Sequence, residues 1–183
     1  GFVTTVGETV YFPNKYSEDL KPKHLEVLGH EFRHAQDYDN WNIGFVILYL
    51  LPQLLIIFSL FSILAVINPW WLLALLNLLW LAPIPSPARA WLELRGYTVS
   101  LFMLNELWLE ENLDLTQRRH NFIKYVEHFN HQFTSSNYYF MQPWGIQEKL
   151  QKNVEKILQD TIVQEDPIYQ RLRIALKASQ SNL

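Results

Sequence analysis

Cysteine is absent from the 183 residues. Without a thiol there is no disulfide framework, no thiolate zinc site, no iron–sulfur cluster and no cysteine nucleophile. The compartment stays open, because a cysteine-free chain persists in any redox environment. Charge is scarce as well: Asp, Glu, Lys and Arg make up 18% of the chain, against about 25% in ordinary globular domains. A net charge of −3 supplies no basic footprint, so no nucleic-acid partner is expected. No signal-peptide pattern is expected at the start, since the first apolar stretch is far too short.

Aromatic and aliphatic residues are abundant. Seven Trp, nine Tyr and eleven Phe exclude a disordered chain. Hydrophobic residues make up 49%, yet mean hydropathy is close to zero, at −0.05. The apolar residues are therefore concentrated, and the sequence shows where. Between Asp39 and Arg89, 49 consecutive positions carry no charge.

The opening GFVTTVGETVYFP alternates apolar and polar residues around Gly7-Glu8. That pattern predicts a short β-hairpin, the one strand signal in the chain. Helical signals follow over 17–39, with Pro22 near a start and Leu25, Val27, Leu28 and Phe32 as apolar positions. After the charge-free run, Ser86-Pro87 reads as a cap and first helical residue, opening a helix to about Asn112. Thr116 is the expected cap of another helix reaching about Phe133. Residues 134–142 read as a loop, and two helices follow over about 143–163 and 166–178, the second led by Asp166-Pro167. The expected fold is mainly α. One domain is expected over 1–183, with an inserted apolar helical hairpin at 43–82 and a C-terminal helical extension at 134–183.

The apolar run allows two readings. Residues 43–67 span 25 positions, a reach of about 37 Å at ~1.5 Å per residue. The return leg 69–82 has 14 positions, about 21 Å, short of a bilayer core of about 30 Å. If Pro52 breaks the first leg, the arms become nearly equal and form a shallow hairpin in one leaflet. Trp41, Trp70, Trp71, Trp80 and Trp91 lie around its ends and turn, where interfacial aromatics sit. The second reading buries the hairpin inside a soluble or oligomeric protein. Membrane association is the expectation, because the other residues could hardly cover so apolar a hairpin from every side. Lys21, Lys23, Arg33, Arg89 and Arg95 then share one side, which the positive-inside rule assigns to the cytoplasm.

Residues 30–34 are His-Glu-Phe-Arg-His, an HExxH pattern. On a helix, i and i+4 share a face, so His30 and His34 can offer two imidazoles to one tetrahedral zinc ion. Glu31 lies beside the open coordination position, where it can accept a proton from water. From this chain's own composition, the chance of one such match is roughly 1%. Gly29, just before the motif, allows close backbone packing. No HxxGxxH continuation follows His34, so the third ligand must come from elsewhere. Glu93 is the candidate, on the helix that begins straight after the apolar hairpin. Gly96, three residues later on the same face, would let that helix approach closely. The competing reading of Glu93 is a solvated carboxylate paired with Arg89 or Arg95. Glu106, Glu110, Glu111 and Asp114 read as a solvated face. His128 and His131 with Glu127 form a weaker metal-ligand set.

HExxH, an apolar hairpin and a helix carrying Glu-x-x-Gly resemble the gluzincin membrane metallopeptidases of the HtpX/Ste24 kind, over about 25–99. The HExxHxxQ extension through Gln36 is also similar to small zincin-like peptidases of bacterial and phage genomes. The resemblance implies His30, His34 and Glu93 as zinc ligands and Glu31 as the base. That family's third ligand belongs to an E-x-x-A-D pattern; here Tyr97 stands where it has the acidic residue. Asp37, Asp39 or a backbone carbonyl would then orient a zinc histidine. Residues 9–12 of the hairpin could pair with an extended substrate. By residue type alone, His131, Tyr138 and Tyr139 are candidate donors to a developing oxyanion.

The expected function is zinc-dependent peptide hydrolysis at a membrane surface, with a peptide or protein substrate and the bilayer as partners. A homo-oligomer or larger assembly could form through the apolar hairpin. The alternative is a membrane-inserting or virion structural protein on a zincin scaffold, its zinc site structural or degenerate.

Overall fold

The computed structural model describes residues 4–6, 9–11, 24–82, 85–135, 142 and 144–180. Strand β1 (Thr4–Val6) pairs antiparallel with β2 (Thr9–Tyr11), Thr4 opposite Tyr11 and Val6 opposite Thr9. The Gly7-Glu8 turn itself lies outside the described residues. Everything else described is helix or connection: α1 (Leu25–Trp41), α2 (Ile43–Ile57), two 3₁₀ arms (Phe58–Val66 and Pro69–Leu81), α3 (Pro87–Glu110), α4 (Leu115–Thr134), α5 (Ile146–Leu158), α6 (Ile162–Glu165) and α7 (Pro167–Gln180). The mainly-α expectation holds.

Helix α3 is the central element. Leu92, Val99, Leu101 and Phe102 are all at most 1% exposed, and every residue from Gly96 to Glu106 is buried, so this stretch is enclosed on all sides. Helix α5 presents Ile146, Leu150, Val154 and Ile157 as one buried stripe, and α4 contributes Phe122, Val126, Phe129 and Phe133. Glu106, expected on a solvated face, is buried. It accepts both Arg173 Nε and Nη2 at 2.8 Å, a pairing with α7 that no local spacing could reveal. Helix α4 is capped by Asp114 rather than Thr116. Gln117 falls at the third helical position, so the two side chains bond each other's backbone reciprocally, as in a capping box.

Helices α1 and α3 lie side by side and antiparallel, since their contacts run in opposite order. Ser100 bonds Glu26 O at 2.9 Å, His30 meets Glu93 and Gly96, and Trp41 stacks on Trp91 at 5.3 Å. Glycine makes the approach this close: a Cβ on Gly29 would fall 2.8 Å from Met103 Cγ and 3.2 Å from Val99 Cγ1.

The chain leaves α1 through Asn42, whose φ of 47° is a left-handed value that Asn tolerates better than most residues. This tight junction returns the first turns of α2 to α1. Pro52 does not break the outgoing arm. It is carried inside α2 at the loss of one helical hydrogen bond, and the winding changes to 3₁₀ only after Ile57. The return arm is also 3₁₀ rather than α. At about 2.0 Å per 3₁₀ residue it reaches roughly 26 Å, and the outgoing arm roughly 40 Å. The segment Ile43–Val66 has 24 residues, a mean hydropathy of 2.4 and no buried share, so it is long and apolar enough to cross a membrane.

Candidate metal centre

Helix α1 places His30 and His34 one turn apart, and α3 brings Glu93 against them. His30 Nε2 lies 3.0 Å from His34 Nε2 and 3.2 Å from Glu93 Oε2; His34 Nε2 lies 3.7 Å from the same oxygen. A tetrahedral zinc with bonds of about 2.0–2.1 Å has ligand–ligand edges of about 3.3 Å, and the three distances bracket that value. Two neutral imidazole nitrogens and one carboxylate oxygen are also a donor set that zinc takes. The three residues therefore lie close enough to bind one metal ion, and this set leaves a tetrahedral ion one position to fill.

The electrostatics favour a cation at the point where these atoms meet, because the nearby charges that act on His34 are carboxylates. Burial opposes a charged His34, but Glu93, Glu31 and Asp37 together outweigh it and raise its affinity for a proton. Burial likewise opposes a charged Glu93, yet hydrogen bonds and charge from His30 and His34 hold its carboxyl well below the usual range. Glu93 is only 2% exposed, so its reading as a solvated helix carboxylate is corrected. Arg95 goes elsewhere, bonding Asp37 through Nε at 3.0 Å and Nη2 at 2.7 Å.

Gly96 shapes the pocket for His30. A Cβ there would fall 2.7, 2.8 and 2.9 Å from Cε1, Nδ1 and Nε2 of the His30 ring, so the imidazole rests directly on the glycine. Gly96→Ala is expected to displace His30 and weaken zinc binding by about 10- to 100-fold, the range for groups that orient ligands. The helix itself should lose nothing, since Ala is the better helix former by about 1 kcal/mol. A competition titration that returns an unchanged zinc affinity for this variant would contradict the packing argument.

The other expected residues divide. Tyr97 stands edge-on to His30 with ring centroids 4.6 Å apart, so it supports that ligand by contact instead of by charge. Asp37 does not hold a zinc histidine as expected: its carboxylate is engaged by Arg95 and by Arg33, whose Nε is at 3.2 Å. Asp39 is exposed. His34 Nδ1 is buried with no hydrogen-bond partner among the described residues. Phe45, Tyr49 and His30 surround that ring instead, with centroids 5.9, 6.0 and 4.7 Å away. His131 is exposed in the last turn of α4, as are Glu127 and His128 on that helix, and none belongs to the converging set. Tyr138 and Tyr139 lie outside the described residues. Glu31, partly exposed on α1, is near enough for its charge to act on His34.

One residue escaped the sequence reading. Tyr49 of α2 places its hydroxyl 2.5 Å from Glu93 Oε1. The available signal was chemical: a phenol in a charge-free apolar run has a polar tip that must find a partner.

Comparison with family models, with curated proteins and with solved structures gives no match. The functional reading therefore rests on the site itself.

Proposed function

We propose that the chain is a zinc-dependent peptidase that works at a membrane surface. The observation that carries this reading is the triangle of His30, His34 and Glu93, built from an HExxH helix and a second helix and, among the described residues, one ligand short of tetrahedral closure. A structural zinc is held by four protein ligands, whereas a hydrolytic one keeps a position for water or substrate. When bound there, zinc supplies a Lewis acid that polarises a carbonyl and lowers the pKa of water toward about 7.

The protein's own part follows from its side chains. His30 and His34 would each offer one ring nitrogen to the ion from one face of α1, and Glu93 supplies one negative charge in a water-poor setting. Glu31, adjacent to His30 but outside the ligand set, is the group for proton traffic: it takes a proton from the attacking water and returns it to the departing amine. The hairpin β1–β2 lies against α1 and offers an edge for an extended peptide.

Membrane association is supported by the exposed apolar arms: Leu60, Ile63, Val66, Ile67 and Trp70 are 63–89% exposed, with nothing among the described residues to cover them. The arms enter and leave beside Trp41 and Trp91, whose stacked rings are the kind anchored at a membrane–water boundary. The test is cleavage of an unfolded protein by zinc-loaded chain in lipid vesicles. New amino termini should appear with time and vanish with a chelator. A fully zinc-loaded chain that releases none would overturn the reading.

A further inference from the structure

The apolar hairpin and the metal centre meet at one hydrogen bond. Tyr49 lies in the second turn of α2, and its hydroxyl is 2.5 Å from Glu93 Oε1. Arg89 Nη2 stands 3.4 Å from the same phenol oxygen, with its guanidinium carbon 4.7 Å from the Tyr49 ring centroid. The direction of these bonds is fixed by chemistry. An ionised carboxylate only accepts, a guanidinium only donates, and a phenol does both. The Tyr49 proton therefore points to Glu93, while Arg89 donates to the phenol oxygen and orients it.

We propose that Tyr49 is a positioning residue of the metal centre: by occupying Oε1 it leaves Oε2 alone to the cation, making Glu93 a one-oxygen ligand. The two oxygens of Glu93 already have separate tasks. Oε2 faces His30 and His34 at 3.2 and 3.7 Å, and Oε1 faces the phenol. Remove the hydroxyl, and Oε1 becomes a buried carboxylate oxygen without its donor, a costly state. Turning the carboxylate so that both oxygens face the cation relieves it. A neutral hydroxyl satisfies Oε1 without cancelling the negative charge that the metal needs, as a direct ion pair would.

The aromatic ring is held independently of its hydroxyl. It stacks on Phe45 at 5.7 Å and 22° and meets His34 edge-on at 6.0 Å, so phenylalanine at this position keeps the packing. It follows that the first two turns of the hairpin form a wall of the metal centre. How the hairpin is seated and how the metal is held are one question.

The inference rests on the metal reading, and the test separates the two. Cobalt(II) replaces zinc in the wild-type chain, Tyr49→Phe and Tyr38→Phe, the last deleting a hydroxyl on α1 that is bonded to none of the three ligands. Cobalt's visible bands are strong in four-coordinate sites and weaken when another oxygen joins. Wild type and Tyr38→Phe should give the same spectrum. Tyr49→Phe should give weaker bands and a zinc affinity about 10- to 100-fold lower, with an unchanged far-ultraviolet circular dichroism spectrum. If Tyr49→Phe keeps both the cobalt spectrum and a zinc affinity within about twofold of wild type, the positioning role is wrong while the metal centre stands. If the wild type binds neither metal, the centre and the positioning role fall together.

Discussion

Replacing Glu31 by Gln is expected to lower peptide hydrolysis by roughly 10²- to 10⁴-fold while leaving one zinc bound per chain. Glutamine matches glutamate in length and volume and fits the same helical position. It cannot accept a proton, so it loses the one ability the reaction asks of this residue. The metal should stay, because the converging ligand atoms belong to His30, His34 and Glu93, and Glu31 is not among them. Turnover and metal content measured on the same preparation separate the two roles. A variant that keeps its zinc and more than about a tenth of its activity would remove Glu31 from proton transfer.

Loss of membrane binding is the second large effect. Leu60 on the outgoing arm and Leu76 on the return arm are 63% and 60% exposed, and none of the described residues covers them. A carboxylate in mid-span costs about 2.5–3.5 kcal/mol, so Leu60→Asp with Leu76→Asp should cost at least about 5 kcal/mol together. That corresponds to a fall in vesicle partitioning on the order of 10³-fold or more, read by flotation with liposomes. Zinc content should be unaffected, because the described partners of the ligand side chains lie on α1, α2 and α3 and none on the arms beyond α2. Unchanged flotation would mean that another protein surface, such as a second copy of the chain, covers these arms.

What could be read from the sequence was local. Imidazoles four apart share a helix face by geometry alone, and a hairpin that reverses the chain brings the helix carrying Glu93 beside the first. Gly96 was legible for the same reason, as a small residue one turn from Glu93. What could not be read depends on partners far along the chain. Asp37 is 58 residues from Arg95, and Glu106 is 67 from Arg173; nothing in either carboxylate's neighbourhood announces its cation. Tyr49 was hidden by company, one polar atom among aliphatic residues. Whether Pro52 would break its arm was open in the sequence, because a proline forfeits one helical hydrogen bond without always ending the helix; here it is carried inside α2.

The account stands on three residues meeting at one ion. Metal content by mass spectrometry, on detergent-purified wild type, His34→Ala and Glu93→Gln prepared without chelators, tests it most directly. One zinc per wild-type chain is expected, with a loss in both variants greater than the roughly 10- to 100-fold cost of a group that merely orients a ligand. A wild type without zinc, or variants that hold it as firmly as the wild type, would contradict the centre and leave the exposed apolar hairpin as the feature to explain.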